Sequence, residues 1–299
     1  KFTYVNLLVR VIAIIVVLVI VNKWTNPANK LSWTFLILLS PIFGLMVYFL
    51  FGRSGLTKHT RERMDAVNRQ VEALFQRDSA VEKGLEKESR SAYLQSSYID
   101  KWAGFPLYQN TQTKYYSCGE EMFPDMLEAL RGAKHFIFLE YFIIEEGYMF
   151  NTILDILEEK AKAGVDVRFI YDDVGSINSI SFGYYKKLQE RGIPCVTFNP
   201  FKPLISVVMN NRDHRKIFVV DGYIGFTGGI NLADEYINKV KRFGYWKDTG
   251  VRIEGEAVWS LTAMFLEMWN YINRSTEDYS RFLPSVYREK EFTSDGFVQ

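Results

Sequence analysis

The chain has 299 residues, 48% of them hydrophobic and 24% charged, with a formal net charge of +1. That length and balance allow a sizeable buried core and exclude a generally disordered chain, and the near-zero charge gives no bulk attraction to nucleic acid or another polyanion. Two cysteines, Cys118 and Cys195, are too few and too far apart for a disulfide framework or a metal cluster, so they read as free thiols in a reducing compartment.

The N-terminus stands apart from the rest. From Phe2 to Val21 the sequence is apolar except where Asn6 and Arg10 interrupt it, and a second apolar run from Leu31 to Phe51 is broken by Ser32, Thr34 and Ser40. Each run is about 20 residues, long enough as a helix to cross a hydrocarbon core of about 30 Å. Pro41 and Gly44 fall inside the second run, where membrane helices tolerate them. Tyr4, Trp24, Trp33 and Tyr48 lie near the span ends, where amphipathic rings favour the interface. The expectation is a two-helix transmembrane hairpin over residues 1–52. A cleaved signal peptide fits poorly, because a second long span follows so soon. The connecting loop carries Lys23 and Lys30, whereas Arg53, Lys58, Arg61 and Arg63 follow the second span. That excess places the C-terminal part on the cytoplasmic side, although Arg10 and the loop lysines weaken the asymmetry. Residues 53–103 have mixed charge and read as a charged helical linker near the membrane. Their basic residues suit anionic head groups or an ordinary solvated helix face equally well.

From about Gly104 the pattern is that of a globular α/β unit. "HFIFLEYFII" (135–144) reads as a buried strand between two amphipathic helical stretches, 120–133 and 150–164. A strand at 165–173, a helix at 182–191 and a strand "IPCVTFN" follow. Strands alternating with helices predict a mixed, mostly parallel sheet flanked by helices. "KIFVVD" and "YIGFTG" meet at Asp221-Gly222, a strong hairpin-turn signal. "TGVRIEG" adds a strand, and "AVWSLTAMFLEMWNYIN" a strongly apolar helix.

The chemistry lies in "DHRKIFVVDGYIGFTGGIN" (213–231). On a strand His214 and Lys216 are two apart and share a face. An imidazole beside an ammonium suits an anion: the lysine neutralises phosphate oxygens, and the histidine attacks phosphorus or moves a proton. Asp221 is an odd number of residues from both and sits at the turn, where it orders the turn or a neighbour. Gly228 and Gly229 permit close backbone approach, and Asn231 offers an amide N–H to a phosphate oxygen.

His214-x-Lys216-x₄-Asp221, followed after six residues by Gly228-Gly229-x-Asn231, resembles the signature motif of the phospholipase D superfamily. With the apolar N-terminus, "DDVGS" (172–176) and "YWKDTGVRIEG" (245–255), nearly the whole chain resembles a bacterial cardiolipin synthase. The resemblance implies catalytic roles for His214, Lys216 and Asp221, phosphate binding at Gly229 and Asn231, and no metal or other cofactor. It implies a two-step exchange in which histidine takes a phosphatidyl group from phosphatidylglycerol, releasing glycerol, and a second phosphatidylglycerol captures it. It further implies a multi-pass protein of the bacterial inner membrane whose partners are anionic phospholipids and not nucleic acid.

A nucleophilic histidine needs its other ring nitrogen held by a carboxylate. The position matching the family is Asp248, preferred over Glu235 and Asp234. The family carries two copies of the motif and this sequence one. His59 and His135 have no lysine two residues on and read as ordinary residues. Residues 104–299 are therefore expected to be the first catalytic half, completed by a second half in cis or by a homodimer partner. A phospholipase D-type hydrolase, a nuclease and an inactive membrane-anchored remnant are the alternatives.

Overall fold

The computed structural model of the chain describes residues 2–52, 58–200, 212–275, 277–287, 292–294 and 296–299. The side chains of residues 2–3 and 58–61, and with them His59, Lys58 and Arg61, lie outside that description, as does Arg53. Two compact units result: an N-terminal one, and one formed by Lys58–Phe201 with Arg212–Gln299.

In the first unit, α1 (Phe2–Asn22) is the one described helix long and apolar enough to cross a membrane. The second apolar run is not one continuous helix. It forms α2 (Pro27–Leu39) and α3 (Pro41–Phe51), separated at Ser40, whose φ of −138° and ψ of 86° are far from helical. Pro41 lacks an N–H and disfavours a helical residue before it, so α2 ends there and α3 begins with proline at its first turn. The chain then doubles back. The Trp33 and Tyr48 rings meet edge to face at 5.5 Å between centroids. Gly44 lies so near α2 that a Cβ on it would come within 2.6 Å of the Ile37 Cα. Hydropathy counts apolar residues and is blind to such a break, which is why the run reads as one helix in sequence.

The second unit opens with α4 (Lys58–Glu72), α5 (Ser79–Glu88) and α6 (Arg90–Ala103). Asp78 and Ser89 cap the second and third of these by accepting from Ala80 N and Ala92 N. Val71 of α4 is 1% exposed and packs in the same apolar cluster as residues near the C-terminus. Next come β1 (Thr111–Tyr116), α7 (Gly119–Gly132), β2 (Phe136–Tyr141), α8 (Tyr148–Lys162), β3 (Asp166–Asp172), α9 (Tyr185–Glu190) and β4 (Cys195–Phe198). Beyond them are β5 (Ile217–Val220), β6 (Ile224–Gly228), β7 (Gly250–Gly255), α10 (Val258–Asn273) and α11 (Pro284–Tyr287).

The strands form one sheet in the order β1-β7-β6-β5-β2-β3-β4. It is mixed, as expected, but mostly antiparallel rather than mostly parallel. Only β2–β3 and β3–β4 run parallel, and the other four pairings are antiparallel. Parallel pairing needs a crossover, and α8 and α9 supply one between β2 and β3 and one between β3 and β4. The correction follows from the β5–β6 hairpin, from β7 returning beside it, and from β1, which the sequence reading missed. Strand β1 is "TQTKYY", with its four central residues exposed, so it carries no hydrophobic alternation to find.

Both faces of the sheet are covered. Along β2, Ile137, Leu139 and Tyr141 pack into a cluster with α7 and α8, whereas Phe136 and Phe138 pack against α10. Phe138 stacks on Phe265 at 4.6 Å between centroids. Burial on both sides is why β2 reads as a continuous apolar run. The Asp221-Gly222 turn forms as expected, with φ of 51° and 71° and Tyr223 N donating to Val220 O at 3.3 Å. The cysteines are free, and Cys195 is buried.

Candidate active site

Alternating strand direction brings His214, Lys216 and Asp248 to one end of the sheet. The C-terminal ends of β2 and β3 lie beside the start of β5, and the end of β6 lies beside the start of β7. The carboxyl end of parallel strands is where open α/β sheets place ligands.

His214 and Lys216 precede the regular part of β5, yet their side chains converge as the two-residue spacing predicts. Both lie against Phe142, just past β2. The His214 and Phe142 rings are 4.7 Å apart, and Lys216 Nζ is 5.5 Å from the same ring centroid. Lys216 Nζ also donates to the His214 carbonyl at 2.9 Å. Lys216 is only 4% exposed. Burial pushes its pKa below the ordinary lysine value, and the carboxylates of Asp248 and Asp213 oppose that shift. The result is a partly desolvated cation beside an imidazole, a site poised for an anion.

Arg215, between them, turns to the opposite side. Its Nη2 is 2.7 Å from Glu140 Oε1 on β2, and its Nε donates to Asp213 Oδ1 at 3.0 Å. Glu140 is fully buried, and burial raises its carboxyl pKa well above the usual range against the pull of Arg215. Glu267 on α10 feels Arg215 as well, and burial pushes its pKa up to about 7.

The glycine pair explains itself by packing. A Cβ on Gly228, whose φ is 145°, would come within 2.4 Å of the Thr249 carbonyl. One on Gly229 would come within 1.9 Å of Asp248 Oδ1. The close approach that glycine permits is thus the approach of the segment before β7, and it brings the Asp248 carboxylate toward Lys216. Gly229 N donates to Thr249 O at 3.0 Å. Among the described residues neither ring nitrogen of His214 has a hydrogen-bond partner, so the imidazole and Asp248 are neighbours of Lys216 without being bonded to each other.

Two of the sequence candidates are engaged elsewhere. Asn231 is 2% exposed; its Oδ1 accepts from Ile143 N at 3.0 Å and its Nδ2 donates to Tyr236 Oη at 2.8 Å. It clamps the loop after β2 rather than facing open space. Asp221 is fully buried at the far end of β5, and its carboxylate accepts from Lys134 N, His135 N and Phe136 N, each at 2.8 Å. It binds the motif strand to the start of β2 and does not join His214 and Lys216. Of the rival carboxylates, Asp234 accepts from Tyr148 N and Met149 N at the start of α8, and Glu235 lies 3.4 Å from Arg242.

The stretch "DDVGS" has a role that its residues do not announce in sequence. Asp172, fully buried at the end of β3, accepts from Asp213 N at 3.0 Å, Arg212 Nη1 at 3.2 Å, Val174 N and Gly175 N. Gly175 packs so tightly that a Cβ would come within 2.3 Å of the Phe142 carbonyl, and Ser176 Oγ donates to that carbonyl at 3.2 Å. The pentapeptide therefore holds both the lead-in to His214 and the aromatic ring beneath it. Two consecutive aspartates closing a buried strand were the available signal.

A family profile described as cardiolipin synthase, PLD-like domain, matches residues 126–269, and one described as phospholipase D-nuclease N-terminal matches residues 11–53. An uncharacterized protein of Streptococcus mutans is 39% identical over 282 residues, covering 94% of this chain and 60% of that protein. Cardiolipin synthase 1 of Bacillus anthracis is 35% identical over 286 residues, 93% of this chain and 55% of the relative. A cardiolipin synthase of Halalkalibacterium halodurans is 34% identical over 297 residues, 98% of this chain and 58% of the relative. The chain thus spans between 55% and 60% of the length of these three relatives. Among solved structures, Nuc from Salmonella typhimurium, a phospholipase D family member, is 23% identical with a TM-score of 0.39, covering 56% of this chain and 97% of that one. The profile over residues 126–269 and the alignments with two cardiolipin synthases agree with the motif residues gathered around Phe142: over the part of their length that it spans, the chain is similar to the cardiolipin synthases and their PLD-like domain.

Proposed function

We propose that the chain carries the nucleophile half of a cardiolipin synthase, transferring a phosphatidyl group from one phosphatidylglycerol to another. The observation that carries this is the pair His214 and Lys216 held on one ring, with Asp248 drawn in across the glycine pair. In the first step a His214 ring nitrogen forms a bond to phosphorus, the P–O bond to the departing glycerol breaks, and that oxygen takes up a proton. In the second step a hydroxyl of another phosphatidylglycerol attacks phosphorus, the P–N bond breaks, and the hydroxyl proton is lost to a base. Lys216 offsets the charge that gathers on the non-bridging oxygens, an effect made stronger by its burial. Asp248 orients the imidazole once substrate draws the ring toward it. The proton donor to the leaving glycerol comes from a second motif, supplied in cis or by a second copy of the chain. Asp221 and Asp172 serve as positioning residues.

A lipid substrate is further supported by the loop before Asp248. Residues 239–247 hold Lys239, Lys241 and Lys247 and no acidic residue, with Val240, Phe243 and Tyr245 exposed among them. Cations interleaved with exposed apolar groups suit an anionic head-group layer. The N-terminal α1 anchors the protein in the bacterial inner membrane, with the second unit on the cytoplasmic side.

The test is an incubation of the full chain, alone and with a separately supplied second-motif half of a cardiolipin synthase, with phosphatidylglycerol labelled in its phosphate. Cardiolipin and free glycerol are expected, together with an acid-labile adduct absent from His214→Ala. Phosphatidic acid as sole product would make the protein a hydrolase, nicked DNA a nuclease, and no adduct under either condition would overturn the assignment of His214.

A further inference from the structure

We infer that the second apolar run of the N-terminus does not cross the bilayer: α2 and α3 form a re-entrant hairpin that enters and leaves the same leaflet. The inference rests on the N-terminal unit being embedded in a membrane, and it changes the topology that apolarity alone would give.

Length is the first argument. At 1.5 Å per residue the 13 residues of α2 reach about 20 Å and the 11 of α3 about 17 Å, against a hydrocarbon core of about 30 Å. Contact is the second. Trp33 and Tyr48 are fifteen residues apart in sequence, which along a continuous helix is about 22 Å, yet their rings meet at 5.5 Å. Ile37 is fully buried and Tyr48 only 6% exposed in the seam between the two helices, and Gly44 removes the side chain that would hold them apart. Small residues at a helix crossing are what close packing in lipid requires.

The tip and the base differ in chemistry, and together they select the leaflet as the occupant. At the tip, Leu39 and Ile42 are each 71% exposed around Ser40 and Pro41, and no charged residue lies between Leu31 and Gly52. Such a tip is stable in hydrocarbon and not at a far aqueous surface. At the base, Lys30 Nζ donates to the Val21 carbonyl at 2.9 Å, tying the start of α2 to the end of α1. Asn26 caps the start of α2 through Ala28 N, so the exposed backbone groups at the entry point are satisfied at the interface.

Charge is independent of both. Two full spans would divide Lys23 and Lys30 from Arg53, Lys58, Arg61 and Arg63. A re-entrant hairpin puts all six on one side, and by the positive-inside rule that side is cytoplasmic.

The experiment labels single introduced cysteines in the full chain, in sealed membrane vesicles of known orientation, with a membrane-impermeant maleimide. Cys118 is replaced by serine; Cys195 is buried and stays. The sites are Tyr4→Cys, Thr25→Cys and Glu62→Cys. The expected result is that residues 25 and 62 react from the same side and residue 4 from the other. Labelling of 25 and 62 from opposite sides would overturn the hairpin in favour of two spans. Release of the protein by alkaline carbonate would overturn it differently, by removing the membrane reading on which it rests. As a second measurement, the Trp33→Cys, Tyr48→Cys double variant should be bridged within one chain by a bifunctional thiol reagent of about 10 Å reach, read as a cyclised peptide by mass spectrometry. A straight helix cannot give that product, and its absence in membranes would count against the fold-back.

Discussion

Asp221 is the third letter of the motif, and its geometry predicts that replacing it damages the fold before the chemistry. Its carboxylate takes three backbone N–H groups at 2.8 Å and is fully buried. A hydrogen bond to a charged group contributes about 1.5–3 kcal/mol. The three do not simply add, because Lys134 and His135 are exposed and their N–H groups can return to water, whereas Phe136 is buried. Asp221→Ala also places a Cβ residue without a helpful side chain at φ 51°, at a further cost of about 1 kcal/mol. The expected loss is about 4 kcal/mol for alanine. Asparagine tolerates the backbone conformation and keeps one acceptor oxygen, so about 2 kcal/mol is expected. Asp221→Gly, which relieves the backbone but not the lost bonds, should lie between them. The assay is equilibrium denaturation of the full chain in detergent, followed by tryptophan fluorescence, alongside trapping of the phosphohistidine adduct. If Asp221→Ala unfolds within 1 kcal/mol of the parent and still forms no adduct, Asp221 acts in the reaction and the reasoning fails.

Three further outcomes follow from the site. Because Lys216 loses its proton below the ordinary lysine pKa, the alkaline limb of the activity profile should lie under that value; Asp248 holds that pKa up, so Asp248→Asn should move the limb further toward neutral pH, and an unmoved limb would separate the two residues. Phe142→Ala removes the surface on which His214 and Lys216 meet and should lower kcat by about ten- to a hundredfold with a smaller change in KM, measured as cardiolipin formation; an unchanged kcat would make the ring mere packing. Glu267 has a folded-state pKa raised to about 7, so its ionisation opposes folding increasingly as pH rises from about 4.5 through 7. Glu267→Gln should therefore stabilise by at most about 3 kcal/mol at pH 8 and by nothing near pH 4, which paired denaturation curves would check.

The elements with strong period or composition were legible in the sequence: the buried run of β2, the amphipathic α7 and α8, and the Asp-Gly hairpin. Sheet direction was less so, since β1 joins the edge through backbone pairing with polar, exposed residues that carry no pattern. His214 and Lys216 were readable because strand alternation continues into the extended segment before β5. Asn231 and the glycine pair were readable as important but not for the right contacts, because what Gly229 approaches is Asp248, nineteen residues on. Phe142 left almost no trace and Asp172 only its place in a pair of aspartates closing a buried strand, since each acts on the motif only once β2 and β3 lie beside β5. The fold-back at Ser40 was hidden by hydropathy itself.

The motif strand bears opposite duties on its two sides: His214 and Lys216 turn to the Phe142 ring, while Arg215 pairs with Glu140 and Asp213 behind it. Sliding β5 by a single position against β2 would exchange those sides, driving the ammonium of Lys216 under the sheet and leaving Glu140 without its counter-ion. The paired charges behind the strand thus act as a ratchet tooth that admits one alignment. Adding or deleting one residue between His214 and Val220 should be as damaging as removing the histidine.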